Sequence, residues 1–343
     1  MPTRNEIARK QRQKMLDAFQ SAVQDIKDEA TIKDIQARID EGDIDGVLRL
    51  LGLREGAFEP MAEAIRVAYR EGGKKGAEQI GSIPSEQGEI AFRFDGTSPN
   101  AQRWVQEESS RLIAEVLEDQ KAMVRERLAQ ALEDGRNPRR SALDLVGRLD
   151  QRTGKRVGGF IGTTQRQAEW IEKARAEMES LDSNYLRREL RDRRFDKVMK
   201  EAIESGEPLN EETINKAVTQ MQANTQRYRA ENISRTESIT ALRAGQHQSV
   251  QQAVEEGEIT EEDATKVWDA TSGPRTRPDH NEMDGQRKPL NQPFVAPDGS
   301  QLRYPGDRSL GAPPEQVINC RCRERTEVDF AGEVRRVEGF DPP

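Results

Sequence analysis

The sequence contains few cysteines and histidines, the residues that disulfide-stabilised folds and histidine-based catalysis require. Its 343 residues include only two cysteines and two histidines, which rules out a disulfide scaffold and leaves little for histidine catalysis. HExxH, P-loop and GxSxG motifs are all missing. No apolar run approaches the ~20 residues that a membrane-spanning helix needs, and the stretch MPTRNEIARKQRQKM lacks the apolar core of a signal peptide. We therefore expect no membrane contact and assembly in a reducing cytoplasm.

Aromatic residues are also scarce, at 5%, and the apolar fraction is 34%. Charged residues make up another 34%, well above the ~25% that is usual for a globular protein. Such a chain can bury only a modest core, spread over amphipathic helices. We predict a mainly α protein, with extended helical N-terminal and middle regions and a small, loop-rich α+β C-terminal domain.

The net charge of −8 gives no reason to expect nucleic acid binding, but the charge is unevenly distributed. Residues 136–200 contain 17 Lys and Arg against 10 Asp and Glu, a local charge of +7. This excess indicates either a surface that faces a partner or a solvated helix face. The candidate phosphate contacts are Arg187, Arg188, Arg191 and Arg194. Aromatic residues are sparse in this segment, which disfavours base stacking, so any DNA contact should be independent of sequence and sensitive to salt.

Helical periodicity and capping signals divide the first two thirds of the chain. A long helix is expected from Pro99 to about Gly135, and Asn137-Pro138 should begin the next one. Thr164 and Gln167 match a capping box at the start of a further helix. The glycine-rich stretch Glu71–Gly88 is expected to break the helical pattern that precedes it.

Two more helices are expected, and after them the composition of the sequence changes. A basic helix is predicted over Tyr185–Ser205, and another should run from Asn210, with or without a break, to Gly257. Beyond Gly257 prolines and glycines become dense, and short extended segments are expected at Lys266–Ala270 and Val317–Cys322.

Several short motifs follow one another in the C-terminal third. In chain order they are Ser234-Arg-Thr-Glu237, Lys266-Val-Trp-Asp-Ala270, Arg275-Thr-Arg-Pro-Asp-His280, Asp284-Gly285, Pro293-Phe294, Tyr304-Pro-Gly-Asp307 and Asn319-Cys-Arg-Cys322. Over roughly residues 232–329 this order and spacing resembles the phage Mu F-like, SPP1-type family of minor head proteins (phage head morphogenesis proteins). Gly162-Thr-Thr-x-x-Gln167 and Leu190–Asp196 also look like the middle region of that family.

The resemblance implies a structural protein of the virion, present in few copies near the portal vertex and assembled in the host bacterial cytoplasm. Its implied partners are the portal protein, the major capsid or scaffolding protein, and packaged double-stranded DNA. We divide the chain into residues 1–135, a helical arm for portal or capsid contact, and 136–231, a basic helical region. Residues 232–331 form the Mu F-like domain, and 332–343 a flexible tail.

Two other functions compete with this one. The first is a metal-dependent or ADP-ribosyltransferase-like enzyme delivered with the virion. The second is a DNA-binding module that uses the basic middle segment. We favour the structural role and assign no reaction, because no catalytic motif is found.

The motifs supply candidate binding or structural residues, which are Arg235, Glu237, Trp268, Arg275, Arg277, Asp284, Gly285 and Asn319. The forked guanidiniums of Arg275 and Arg277 could bind a carboxylate or phosphate ligand, or brace a loop through backbone carbonyls and nearby carboxylates. We favour bracing. Arg235 and Glu237 are two residues apart on a helix and face different directions, so each is expected to form its own inward ion pair.

The two cysteines and both histidines lie between His247 and Cys322. Cys320 and Cys322 are alternate residues, so on an extended segment both thiols point to one face. With His280 they could supply three ligands of a tetrahedral zinc site, completed by His247, Asp279, Asp284 or water. The alternative is that the cysteines are small buried apolar residues beside a hydrogen-bonded core histidine.

Overall fold

The structure is a computed structural model that describes residues 4–85, 88–271 and 273–330. The predicted tail, 332–343, lies outside the described residues. The protein is 61% helical, with a few small antiparallel sheets, which confirms a mainly α fold with a small α+β C-terminal region. No described helix is long and apolar enough to cross a membrane.

The described residues form eleven α-helices, nine short strands and three 3₁₀ turns. The helices are α1 (Arg4–Glu29), α2 (Ile32–Asp40), α3 (Ile44–Leu50), α4 (Glu59–Ile80), α5 (Pro99–Glu133), α6 (Pro138–Val146), α7 (Gln165–Glu179), α8 (Asp196–Ser205), α9 (Glu211–Glu255), α10 (Pro278–Glu282) and α11 (Pro314–Val317). The strands are β1 (Ser82–Ser85), β2 (Gly88–Ala91), β3 (Arg148–Leu149), β4 (Arg156–Val157), β5 (Ala264–Asp269), β6 (Arg287–Pro289), β7 (Phe294–Val295), β8 (Gln301–Leu302) and β9 (Arg323–Val328).

Local capping signals place the helix ends correctly in the middle of the chain. Gly135, with a φ of 60°, follows the end of α5. Asn137 accepts a hydrogen bond from the backbone of Arg140, and Pro138 is the first residue of α6. Thr164 and Gln167 form the predicted capping box of α7. These predictions are confirmed because each depends on atoms within one turn of the chain.

The prediction that Glu71–Gly88 breaks the helical pattern is wrong for its first ten residues, because α4 continues to Ile80. Three of its glycines face neighbouring chain segments so closely that a side chain would not fit. A Cβ at Gly72 would lie 1.9 Å from the carbonyl oxygen of Leu242, and one at Gly73 would lie 2.0 Å from the ring of Phe94. The packing of α4 therefore outweighs the low helix propensity of glycine.

The predicted basic helix over Tyr185–Ser205 is also wrong in its first half. Two 3₁₀ turns, Ser183–Arg187 and Arg193–Phe195, precede α8. Asp182 and Asp192 each accept a hydrogen bond from the backbone N–H two residues ahead, which starts a new turn each time. Side-chain capping of this kind competes with a continuous helix.

The helix expected from Asn210 is a single 45-residue helix, α9. The side chain of Asn210 accepts a hydrogen bond from the backbone of Thr213 at its start. Gly257, with a φ of 76°, follows its end.

The chain forms two compact units. Unit 1 comprises the described residues of 4–15, 61–110 and 232–330, and unit 2 comprises 16–60 and 111–231. The limits of both units fall inside helices, including α5 and α9. The domain limits given above from the sequence stay a prediction.

Unit 2 has a helical core around a second glycine-rich segment, the loop over residues 154–162. Buried glutamine side chains hold this loop through its backbone. Gln222 accepts from the N–H of Gly159 at 2.8 Å, and Gln120 accepts from that of Gly162 at 2.7 Å. These two amides of the loop are therefore satisfied within the protein.

Unit 1 is organised by a three-stranded antiparallel sheet in the order β6-β5-β9. The predicted strand over Lys266–Ala270 corresponds to β5, which is the central strand. The extended segment predicted over Val317–Cys322 is wrong at its start, because α11 ends at Val317 and a turn follows, with Asn319 at a φ of 58°. One apolar cluster of this unit contains Trp268, Met283, Phe294, Leu302 and both cysteines.

Candidate metal centre

Three short elements bring His280, Cys320 and Cys322 together. His280 lies on α10, whose first residue is Pro278. Both cysteines lie in the segment between α11 and β9, and both are free thiols. Their alternate positions let both sulfurs face the same side, as the sequence predicted. All three side chains are buried, with relative exposures of 1% for His280, 3% for Cys320 and 1% for Cys322.

The ligand atoms of these residues converge. Nδ1 of His280 is 3.3 Å from Sγ of Cys322 and 3.6 Å from Sγ of Cys320. All three ligand atoms lie within 4.8 Å of one another. The structure thus brings together the three residues that the sequence singled out as metal ligands.

A glutamine fixes the orientation of the histidine ring. Nε2 of Gln316 donates to Asp279 at 3.0 Å and to Asp298 at 2.8 Å, so its Oε1 is directed elsewhere. That oxygen lies 2.9 Å from Nε2 of His280 and must accept its hydrogen. Nδ1 of His280 is then the unprotonated nitrogen and turns its lone pair toward the two sulfurs. The hydrogen bond from Gln316 also lowers the pKa of Asp298.

Arg243 is a buried cation near the same cysteines. It donates to the carbonyl oxygens of Pro305 at 3.1 Å and of Cys320 at 3.4 Å. Burial lowers the pKa of Arg243, while the two cysteines act in the opposite direction. The pKa of the Cys320 thiol is held well below its usual range, first by a hydrogen bond with Cys322 and also by the charge of Arg243. The hydrogen bond with Cys320 and burial raise the pKa of the Cys322 thiol, so the two sulfurs release one proton far more readily than both.

Aromatic rings close the site from the core side. The ring of Trp268 packs edge-on against His280 and against Phe294, with centroids 5.3 Å apart in both pairs. This apolar wall excludes water from one side of the ligand cluster and keeps the local dielectric low.

The three side chains considered as a fourth ligand are engaged elsewhere. Nδ1 of His247 lies 3.0 Å from the carboxylate of Glu324, and Asp279 accepts from Gln316. Asp284 accepts from the backbone N–H of Ala270 at 2.8 Å. Among the described residues, the metal-ligand cluster consists of His280, Cys320 and Cys322.

The other candidate residues of the C-terminal motifs brace the loops of unit 1 and do not converge on one point. Glu237 pairs with Arg308 at 3.0 Å, and Arg308 also reaches Glu108. Arg235 contacts the side chain of Asn319 at 3.4 Å. Glu237 thus forms an ion pair, whereas this contact of Arg235 is with an amide, and the inward ion pair expected for Arg235 stays a prediction.

The loop residues act mainly through the backbone. Arg277 donates to the carbonyl of Ile318, and Arg275 is exposed. Gly285, with a φ of 75°, donates its N–H to the carbonyl of Trp268 at 2.8 Å and so closes the turn after Asp284. Asn319 donates its backbone N–H to Thr236 at 3.1 Å.

Three of the four arginines proposed for phosphate contact are paired with carboxylates inside unit 2. Arg188 forms a two-pronged pair with Glu177 at 2.5 and 2.7 Å. Arg191 pairs with Asp196 at 2.8 Å, and Arg194 with Asp192 at 2.6 Å. Arg187 is exposed.

A separate cationic cleft of about 1030 Å³ lies in unit 2. Its lining includes five basic residues and two carboxylates, which are Arg139, Arg140, Arg148, Arg194, Lys216, Glu211 and Glu212. Arg140 pairs with Glu211 and Lys216 with Glu212. Arg139 and Arg148 are exposed.

Sequence reasoning missed the supporting residues Gln316 and Arg243. Gln316 reaches His280 across 36 positions, and Arg243 reaches Cys320 across 77. No local pattern marks either residue, so only the folded chain reveals them.

Comparison with known proteins agrees with the motifs. Residues 193–325 match the family described as Phage Mu protein F like protein, which confirms the resemblance inferred from the sequence. The family indicates a structural phage head morphogenesis protein that interacts with other capsid components. No curated protein and no solved structure matches the chain.

Proposed function

We propose that this Mu F-like protein is a minor head protein that enters the procapsid with the portal and stays near the portal vertex in the virion. The match over residues 193–325 carries the proposal, because that segment contains the C-terminal motifs from Ser234 to Cys322 and the ligand cluster. Residues 1–135 lie outside the match. We assign contacts with the portal protein and with the major capsid or scaffolding protein to them.

The function also includes contact with packaged DNA. The support is the cationic cleft of unit 2, where Arg139 and Arg148 are exposed. Arg188 and Arg191 are partly buried in ion pairs with Glu177 and Asp196, so we assign them a role in stabilising the fold and not in binding DNA. The contact should therefore use phosphates, without reading the base sequence.

Quantitative mass spectrometry of purified virions, and of material captured on tagged portal protein from infected cells, tests the assembly role. We expect a copy number close to that of the portal and far below that of the major capsid protein. Finding the protein free in infected cells and missing from particles would refute the proposal.

The DNA contact is tested with Arg139→Glu combined with Arg148→Glu. The control is Lys33→Glu combined with Arg54→Glu, which makes the same change of net charge at exposed positions of unit 2 that do not line the cleft. Loss of two phosphate contacts should make the log–log salt dependence of DNA binding shallower by about 2. Equal retention of the two double variants on DNA would show that the cleft does not bind phosphates.

A further inference from the structure

We propose that His280, Cys320 and Cys322 hold a zinc ion, with water as the fourth ligand. The ion would join α10 to the segment that leads into β9. It adds a structural metal to the head-assembly role and does not depend on that role.

The distances between the ligand atoms fit tetrahedral zinc. Bonds of ~2.3 Å to sulfur and ~2.05 Å to nitrogen at a tetrahedral angle place the two ligand atoms about 3.6 Å apart. The observed Nδ1–Sγ distances are 3.3 Å for Cys322 and 3.6 Å for Cys320. An S–H···N hydrogen bond from a thiol to Nδ1 has a similar length, so the metal content of the protein decides between the two arrangements.

The donor set selects the kind of metal. Two thiolates and an imidazole are soft or borderline ligands, which favour zinc and disfavour magnesium and calcium. Two thiolates also neutralise the charge of a divalent ion, so the buried site avoids a large uncompensated charge.

The surroundings of His280 are those of a metal-binding histidine. Such a histidine commonly donates its second ring N–H to an oxygen that fixes the tautomer and the ring orientation. Here Gln316 provides that oxygen, and the carboxylates of Asp279 and Asp298 hold the glutamine in place. This chain of hydrogen bonds leaves Nδ1 of His280 free to bind a cation between the sulfurs.

Zinc binding would cross-link two segments of the chain. The ion would close a loop of about forty residues between His280 and Cys320 that contains only short helices and strands. Small, loop-rich structures often need such a cross-link, and the free energy of metal binding then contributes to folding.

The first measurement is the metal content of the full chain, purified without a histidine tag under reducing conditions from zinc-supplemented cells. We expect about one zinc per chain. Replacement with cobalt(II) should produce intense visible bands typical of tetrahedral coordination and a near-ultraviolet band from thiolate-to-cobalt charge transfer. Near-zero zinc together with absent cobalt bands overturns the proposal, and so does a disulfide between Cys320 and Cys322 in this reduced protein.

A variant that keeps all three ligands tests the orienting role of the glutamine. Gln316→Ala should weaken zinc binding about 10- to 100-fold in a competition titration with a chromophoric chelator. Gln286→Ala is the matched control, because Gln286 also makes two hydrogen bonds in unit 1, both with the backbone of Val295. Equal zinc affinity of the two variants overturns the assignment of Gln316.

Chelation supplies a readout that does not depend on whether any variant folds. Removing zinc from the wild-type protein should speed proteolysis within residues 273–330 while the helices of unit 2 keep their protection. Unchanged cleavage of this segment after complete metal removal overturns the structural role of the ion.

Discussion

The glycines of α4 and α9 allow a direct test of how closely these helices pack within unit 1. A Cβ at Gly245 would lie 1.9 Å from the carbonyl oxygen of Tyr69 and 2.9 Å from the backbone nitrogen of Gly73. Both neighbours are main-chain atoms, so no side-chain rotation can relieve the clash. Gly245→Ala should therefore force the two helices apart.

The expected magnitude follows from two opposing terms. Overpacking of a well-packed core typically costs 1–3 kcal/mol, and contact with backbone atoms points to the upper end of about 3 kcal/mol. Alanine in a helix interior is more favourable than glycine by about 1 kcal/mol. We expect Gly245→Ala to lower the free energy of unfolding of unit 1 by about 2 kcal/mol.

Urea denaturation followed by tryptophan fluorescence measures this change. The chain has three tryptophans, and a Trp170→Phe background leaves Trp104 and Trp268, which both lie in unit 1. Trp104 stacks on Tyr69, a residue of α4, with ring centroids 4.8 Å apart. Its emission should therefore change when α4 is displaced.

Gly56→Ala in unit 2, measured in protein that keeps Trp170, is the control for the glycine-to-alanine change itself, because a Cβ there meets nothing within 4 Å and the residue needs no left-handed backbone. This substitution should be neutral, or stabilising by up to about 1 kcal/mol. If Gly245→Ala proves as harmless as Gly56→Ala, the close approach of α4 and α9 is refuted.

Two further predictions concern buried charges. Burial lowers the pKa of Lys266 to about 8, which is below its value in the unfolded chain. Below pH 8 the charged ammonium therefore destabilises the fold. Between pH 8 and about 10 the folded protein loses this proton before the unfolded chain does, so the free energy of unfolding rises. The stability of Lys266→Met relative to wild type should therefore fall as pH rises through that window, and unfolding curves whose difference is independent of pH would contradict this. Asp119→Ala should cost about 2 kcal/mol, because it leaves the buried guanidinium of Arg229 without a carboxylate 2.7 Å away. Glu118→Ala, which breaks only an exposed pair with Lys121, should cost less than about 0.5 kcal/mol, and equal costs would show that Arg229 does not need its partner.

The features of this fold that the sequence predicts are those that depend on neighbouring residues in the chain. Helix starts at Asn137 and Thr164 depend on one side chain and the next turn, so the sequence alone identifies them. The alternation of Cys320 and Cys322 likewise predicts that both thiols share a face. His280 was grouped with them because histidines and cysteines are so few in this chain.

The unpredictable part depends on contacts between distant segments. The glycines of α4 look like a helix break until Leu242 and Phe94 are seen against them. The arginines from Arg187 to Arg194 look like a cationic surface until Glu177 and Asp196 are found beside them. In both cases the contact that determines the structure is made with a residue on another element or turn. The hydrophobic periodicity of the sequence does not reveal such contacts.

The discontinuous make-up of unit 1 has a consequence for biosynthesis. Residues 61–110 leave the ribosome about 220 residues before β9, the outer strand that pairs with β5. The part of α9 that packs on α4, around Leu242 and Gly245, follows α4 by about 160 residues, so at about 5–20 residues per second the apolar face of α4 waits about 8–30 s for it. During that interval it is a target for chaperones that bind exposed apolar helices. A premature stop codon anywhere before β9 would leave β5 without this strand, so truncated products could not complete unit 1.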